Sequence, residues 1–105
     1  MRFSEMDVIE VNGVKAKVAR SFLERTKGLI GTKDLAPGEG LLIEKCNAIH
    51  TCFMSFAIDA AFLDSDNRVV KVVRGIRPWR LFVWGGWRAR KVLETQSHEK
   101  EENRA

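Results

Sequence analysis

His50, Cys52 and Met54 stand two residues apart in the stretch NAIHTCFMSFAIDAAFLD, residues 47–64, with Cys46 just upstream and Asp59 interrupting the apolar run that follows. Side chains alternate across an extended strand. On a straight strand over 49–58, His50, Cys52, Met54, Phe56 and Ile58 therefore share one face, and Thr51, Phe53, Ser55, Ala57 and Asp59 share the other. Imidazole, thiolate and thioether on one face are a donor set for a soft ion, Cu(I) first and zinc with a further ligand. Same-face neighbours on a strand are roughly 6.6 Å apart. Direct chelation by His50, Cys52 and Met54 thus requires a bend or a donor from elsewhere. His50 and Cys52 can also be read as a thiol–imidazole nucleophilic pair, but Asp59, the nearby acid that would orient the imidazole, points to the opposite face.

The competing reading is structural. Cys and Met are common core residues, and here they are surrounded by Phe53, Phe56, Ile58 and Phe62. Asp59 is then a carboxylate tied to backbone N–H groups or to an arginine, because burying it alone is costly.

A second concentration of chemistry lies downstream. Residues 67–93 contain no acid and eight bases, and all three tryptophans fall within GIRPWRLFVWGGW. Flat rings beside guanidinium groups are what single-stranded nucleic-acid platforms use. Arg74, Arg77, Trp79, Arg80, Trp84 and Trp87, in segment 74–91, are the residues such a surface would use. The same composition also closes the ends of small β cores, with arginine stacked over tryptophan.

The elements that position these groups read mainly as strands and turns. Asn12-Gly13 between DVIEV and VKAKVA is a hairpin signal over residues 7–19. Ser21 and Glu24 form a capping box, and Gly31 is the expected stop of a short helix of about 8–10 residues. Phe22, Leu23, Thr26, Leu29 and Ile30 make its apolar stripe. LLIE is a short strand, DSDN turns a second hairpin of 57–63 with 68–74, Pro78 interrupts the ladder, and RARKVLET supplies a last strand. Strands joined by turns predict a mainly β, single-domain antiparallel sandwich or partly open barrel with one short α-helix. Its expected extent is 1–95, followed by a flexible polar tail at 96–105.

The chain has 105 residues and a formal charge of +4. No apolar run approaches the roughly 20 residues of a membrane helix. The start, MRFSEMDVIEV, lacks a secretory leader's apolar core. The expected setting is cytoplasmic, with both thiols reduced.

Several of these residues carry a family resemblance. Arg25, Gly28, Leu29 and Ile30, then Gly40, Leu41 and Leu42, open the pattern. Ile49, His50, Thr51, Met54, Ile58, Asp59, Phe62 and Asp64 continue it, and Pro78 and Val92-Leu93-Glu94 close it. The pattern covers about residues 14–94 and resembles the uncharacterised conserved-region (ACR) family, domain of unknown function 192. The resemblance implies a compact, mainly β domain with a short helix and no established activity. After Val-Leu-Glu the family pattern has a Gly-rich turn and another strand, where this chain reads TQSHEKEENRA. A missing last strand would leave an open sheet edge.

No nucleotide loop or nucleophile elbow is present, so binding is favoured over catalysis and no cofactor is expected. The favoured reading is a small binding or accessory domain. A pocket floored by the His50–Asp59 strand and lined by His50, Thr51, Met54, Asp59, Arg77 and Trp79 would take a small anionic or peptide-like ligand. The alternatives are soft-metal binding or thiol chemistry at His50 and Cys52, and nucleic-acid binding through segment 74–91. The partner is an unknown small ligand or protein.

Overall fold

A computed structural model describes residues 7–97. Strand β1 (Val8–Val11) turns into β2 (Val14–Ala19) through Asn12 and Gly13 at φ 50 and 83. This is the positive-φ pair that a two-residue hairpin turn demands. Ser21 then caps α1 (Phe22–Lys27): its hydroxyl accepts from the Glu24 N–H, and the Glu24 carboxylate accepts from the N–H groups of Arg20 and Ser21. The helix stops at Gly28, φ 51, three residues before the expected stop at Gly31, and spans only 6 residues. Of its expected apolar stripe, Leu29 is fully buried, whereas the side chains of Phe22, Leu23 and Thr26 lie outside the described set.

The remaining strands are β3 (Glu39–Glu44), β4 (Ala48–Ile49), β5 (Ile58–Leu63), β6 (Val69–Ile76), β7 (Val83–Trp84) and β8 (Lys91–Gln96). Six of the eight form one sheet in the order β1-β2-β3-β8-β5-β6, and β4 pairs with β7 in a two-stranded sheet. All pairings are antiparallel except β2 with β3, which run parallel across the connection that holds α1. The Val-Leu-Glu strand, β8, is central, between β3 and β5. Among the described strands the sheet edges are β1 and β6, so the expected open edge beside Val-Leu-Glu is not found there.

The core divides by strand parity. Leu41, Ile43, Ala60, Phe62 and Val92 join Leu29, Ile49, Met54 and Val83 on one face, while Leu42, Leu63 and Leu93 join Val11, Ala16 and Val18 on the other. The small β4–β7 sheet packs onto the first face by close approach. A methyl group at Gly85 would lie 2.2 Å from the Phe62 ring, so the residue over that ring has to be glycine. No described helix is long and apolar enough to cross a membrane.

The straight strand expected over 49–58 does not form. β4 ends at Ile49, β5 begins at Ile58, and a turned loop with Phe53 at φ 66 lies between them. Thr51 is the reason. Its N–H donates to the Arg80 carbonyl, and its own carbonyl accepts from the N–H groups of Met54 and Trp79. Its hydroxyl donates to the Arg77 carbonyl at 2.6 Å and accepts from the Arg80 N–H at 2.9 Å. A fully buried Thr51 is thus satisfied by the 77–80 loop, and a strand ladder through it would give up those bonds. At the other end, Gln96 closes β8, and its side-chain carbonyl accepts from the Leu35 N–H. Residues 98–105, most of the expected tail, lie outside the described residues.

Candidate functional site

β8 carries a fully buried acid, Glu94. Val92 and Glu94 alternate onto the larger core face, and Glu94 lies opposite Leu41 of β3 and Ala60 of β5. Its side chain is 1% exposed. Only three buried side-chain polar atoms lack a hydrogen-bond partner among the described residues: Glu94 Oε1, Arg25 Nε and Ser97 Oγ. Two of the three residues, Glu94 and Arg25, line one cavity of about 260 Å³, together with Gly28, Ile43, Cys46, Ala48, Ile49, His50 and Met54. Two larger hollows, of about 390 and 360 Å³, contain none of these atoms.

Each wall of the cavity has a local origin. The helix ends early at Gly28, so the backbone passes close over the carboxyl; a methyl group there would sit 3.9 Å from Glu94 Oε1. Arg25 reaches the cavity from the last turn of α1. Cys46, on the link from β3 to β4, donates its thiol hydrogen to the Ala48 carbonyl. Ile49 and Met54 are buried in the wall, and His50 stands exposed at the rim. The His50 Nδ1 accepts from the Cys52 N–H at 3.1 Å, so the neutral ring carries its proton on Nε2.

The electrostatics follow from burial. Removal from water pushes the Glu94 carboxyl up to about 8, so it is protonated at neutral pH. Burial also raises the Cys46 thiol; its hydrogen bond to Ala48 lowers it, Glu94 adds to the rise, and Arg25 opposes it. At pH 7 the cavity thus presents a neutral carboxylic acid, a thiol and one guanidinium.

The residues singled out in the sequence separate. His50 and Met54 line the cavity. Thr51 does not line it; it is a buried bracket that holds two loops together. Asp59 sits half-buried on β5, where one oxygen accepts from the Gly75 N–H at 2.8 Å and the other lies 3.9 Å from Arg74. This is the backbone-and-arginine role expected of a structural carboxylate. Arg77 and Trp79 are exposed on the loop that Thr51 holds and are absent from the cavity wall. The His50–Asp59 strand expected to floor a pocket does not form, and the cavity that His50 and Met54 line is also lined by Glu94 of β8.

Of the soft-donor trio, His50 and Met54 line the cavity and Cys52 does not. Cys52 has its sulfur 4.0 Å from the Arg80 carbonyl and lies outside the cavity wall, while Cys46 occupies it. Both thiols are free. Among the described residues no three His, Cys, Asp or Glu side chains are grouped to hold a metal ion.

The basic, aromatic segment is partly consumed by its own fold. Trp84 is half-buried edge-on to Trp87, Lys71 donates to the Trp84 carbonyl, Arg90 donates to the carbonyls of Trp87 and Ala89, and Arg74 faces Asp59. Arg77, Trp79 and Arg80 remain exposed.

Glu94, Arg25 and Cys46 were legible as residues but not as a site. The available signal was an acid inside the apolar strand RKVLET, the same anomaly that drew attention to Asp59.

Residues 6–104 match the profile of domain of unknown function 192, described as Uncharacterized ACR. The UPF0127 proteins of Pyrococcus horikoshii and Pyrococcus abyssi are each 37% identical to this chain, over 86 and 75 residues. Those alignments cover 76% and 66% of this chain and 70% and 61% of the two relatives. Two crystal structures share the fold. A protein of unknown function from Novosphingobium aromaticivorans superposes with a TM-score of 0.74 at 17% identity, covering 90% of this chain and 74% of that one. A protein described as a putative transcription regulator from Sinorhizobium meliloti gives 0.75 at 16% identity, covering 88% and 75%.

Proposed function

The chain belongs to the domain of unknown function 192 family, and from the geometry of its cavity we propose that it is a non-catalytic binding domain for a small organic carboxylate. The observation that carries this reading is that Glu94 and Arg25, each with a buried polar atom that lacks a hydrogen-bond partner, line the same cavity. A buried polar group of this kind costs free energy until a partner arrives. A protonated Glu94 donates one hydrogen bond and the guanidinium donates further ones, so the complementary group is an anion rich in acceptors. Ile43, Ile49 and Met54 then face its carbon skeleton. The cavity is below the roughly 300–1,000 Å³ of pockets for drug-sized ligands, which limits the occupant to a short one.

The test is an NMR titration of the chain with a series of short aliphatic carboxylates and the matching amines. Carboxylates should saturate the protein, perturbing residues around Arg25, Cys46 and Glu94, and amines should not. Arg25→Gln should abolish saturation with the spectrum of the sheet unchanged. A failure of every carboxylate to saturate, or equal binding by Arg25→Gln, would refute the reading.

One observation favours a second reading. Cys46, His50 and Met54 line the same cavity, so a thiol, an imidazole and a thioether face it, with Cys46 in place of Cys52. Burial opposes formation of the Cys46 thiolate. Stoichiometric Cu(I) uptake that is lost in Cys46→Ser but retained in Arg25→Gln would replace the carboxylate reading with this one.

A further inference from the structure

We propose that the paired loops 50–57 and 77–82 form a docking surface for an anionic lipid bilayer, with Phe53, Trp79, Leu81 and Phe82 entering the interface and Arg77 and Arg80 facing lipid phosphate. None of these six residues lines the cavity around Glu94, although His50 and Met54 of the first loop do.

The apolar side chains are unusually exposed for a small domain. Phe53 is 66% exposed, Trp79 60%, Leu81 80% and Phe82 65%, whereas Val83, the next residue, is buried in the core at 5%. Isolated surface apolar groups need no explanation, but large ones gathered on two adjoining loops do. The loops do adjoin. The Phe53 and Trp79 rings lie 4.6 Å apart, and the buried Thr51 ties one loop to the backbone of Arg77, Trp79 and Arg80 in the other.

The backbone is held in a conformation that large side chains avoid. Phe53 has φ 66 and Trp79 has φ 72. A bulky residue in the left-handed region costs about 1–2 kcal/mol, and such outliers persist only where the surrounding structure over-determines them. Here the Thr51 hydrogen bonds hold the two loops together, and both rings are exposed. A surface built this way loses little conformational freedom when it binds.

Charge selects the partner. Segments 45–58 and 67–93, which contain both loops, hold no acidic residue. Arg77 and Arg80 flank Trp79 and are exposed. Tryptophan, phenylalanine and leucine interleaved with arginine match the boundary between headgroups and acyl chains, with the basic groups drawn to anionic lipid. The same residues suit a nucleic acid less well. The Trp79 ring is packed against Phe53 at a tilt of 59°, which restricts access of a base to that side, and Leu81 has neither a stacking face nor a hydrogen-bonding group.

The experiment is co-sedimentation of the 105-residue chain with vesicles of phosphatidylcholine alone and of phosphatidylcholine mixed with phosphatidylglycerol, at low and raised salt, with a parallel measurement on single-stranded DNA. The chain should sediment with the anionic vesicles, more weakly as salt rises. Its tryptophan emission should shift to the blue on binding, and this shift should shrink in Trp79→Phe. The paired substitution Leu81→Ser with Phe82→Ser should lower partitioning by about tenfold, and Arg77→Gln or Arg80→Gln by about fivefold each. These are exposed positions, and an unchanged melting temperature verifies the fold of each variant. The proposal is overturned if the chain ignores the anionic vesicles. It is overturned equally if the Leu81/Phe82 variant sediments like the parent, or if the same substitutions abolish binding to DNA while vesicles are not bound.

Discussion

Replacing Glu94 by Gln isolates the energetic consequence of a carboxyl buried without a partner. The side chain is 1% exposed, and burial raises its pKa from the usual 4.5 to about 8. Between those values the folded chain keeps the proton and the unfolded chain releases it. Stability therefore falls as pH rises through that window, the reverse of a salt-bridged carboxylate. Each pH unit corresponds to about 1.4 kcal/mol, so the interval from 4.5 to about 8 amounts to about 5 kcal/mol. That is large against the roughly 5–15 kcal/mol that holds a domain together. Gln has nearly the same shape and cannot ionise. Its amide adds a constant offset and removes this slope. Urea unfolding of parent and Glu94→Gln across the window measures the difference directly. The stability of Glu94→Gln relative to the parent should rise with pH by more than 1 kcal/mol per unit through the middle of the window. The other titratable and charged groups on the cavity, Arg25, Cys46 and His50, are present in both chains and largely cancel in the comparison. A difference that is independent of pH would refute the argument that Glu94 is neutral and unpartnered in the folded chain.

Thr51→Val should cost about 2–3 kcal/mol in urea unfolding, because it removes the hydroxyl that serves the Arg77 carbonyl and the Arg80 N–H and leaves both without that partner. Gly85→Ala should destabilise by about 1–3 kcal/mol through its collision with the Phe62 ring, and Phe62→Leu in the same chain should recover part of that loss, giving a non-additive double-mutant cycle. Carboxylate binding should weaken by about tenfold per pH unit above the Glu94 value of about 8, since the acid must stay protonated to donate; pH-independent binding there would show that the carboxyl is not used. Alkylation of Cys46 by iodoacetamide should be slower at pH 7 than that of a free thiol and should rise at alkaline pH, because burial disfavours the thiolate; mass spectrometry of the modified peptide checks this.

Much of the strand framework was legible because its signals are local. Asn12-Gly13 needs two positive φ values wherever it is placed, and a hairpin turn is the common place for them. The Ser21–Glu24 box is complete within four residues. The turn between β5 and β6 is likewise marked by its own residues, with Asp64 accepting from the N–H groups of Asp66 and Arg68. The helix stop was misplaced because Gly28 and Gly31 both have positive φ, and local preference does not distinguish them. The early stop brings the backbone over Glu94, a residue that local sequence does not connect to α1.

The site itself rests on pairings distant in the chain. Residue types over 49–58 alternate as a strand would, but Thr51 bonds to partners 26–29 residues later, and the strand breaks. The parallel pairing of β2 with β3 has no marker in either strand.

Residue order alone thus determined the hairpins, the helix cap, the mainly β class and the inventory of groups able to do chemistry, since each depends on torsional preference or alternation over a few neighbouring residues. Tertiary structure decided which of those groups meet. Burial shifts the Glu94 carboxyl upward where β3 and β5 flank β8, and the exposed Phe53 and Trp79 sit on loops that Thr51 joins. Burial and long-range hydrogen bonding are properties of the packed chain, and the same side chains acquire their roles from them.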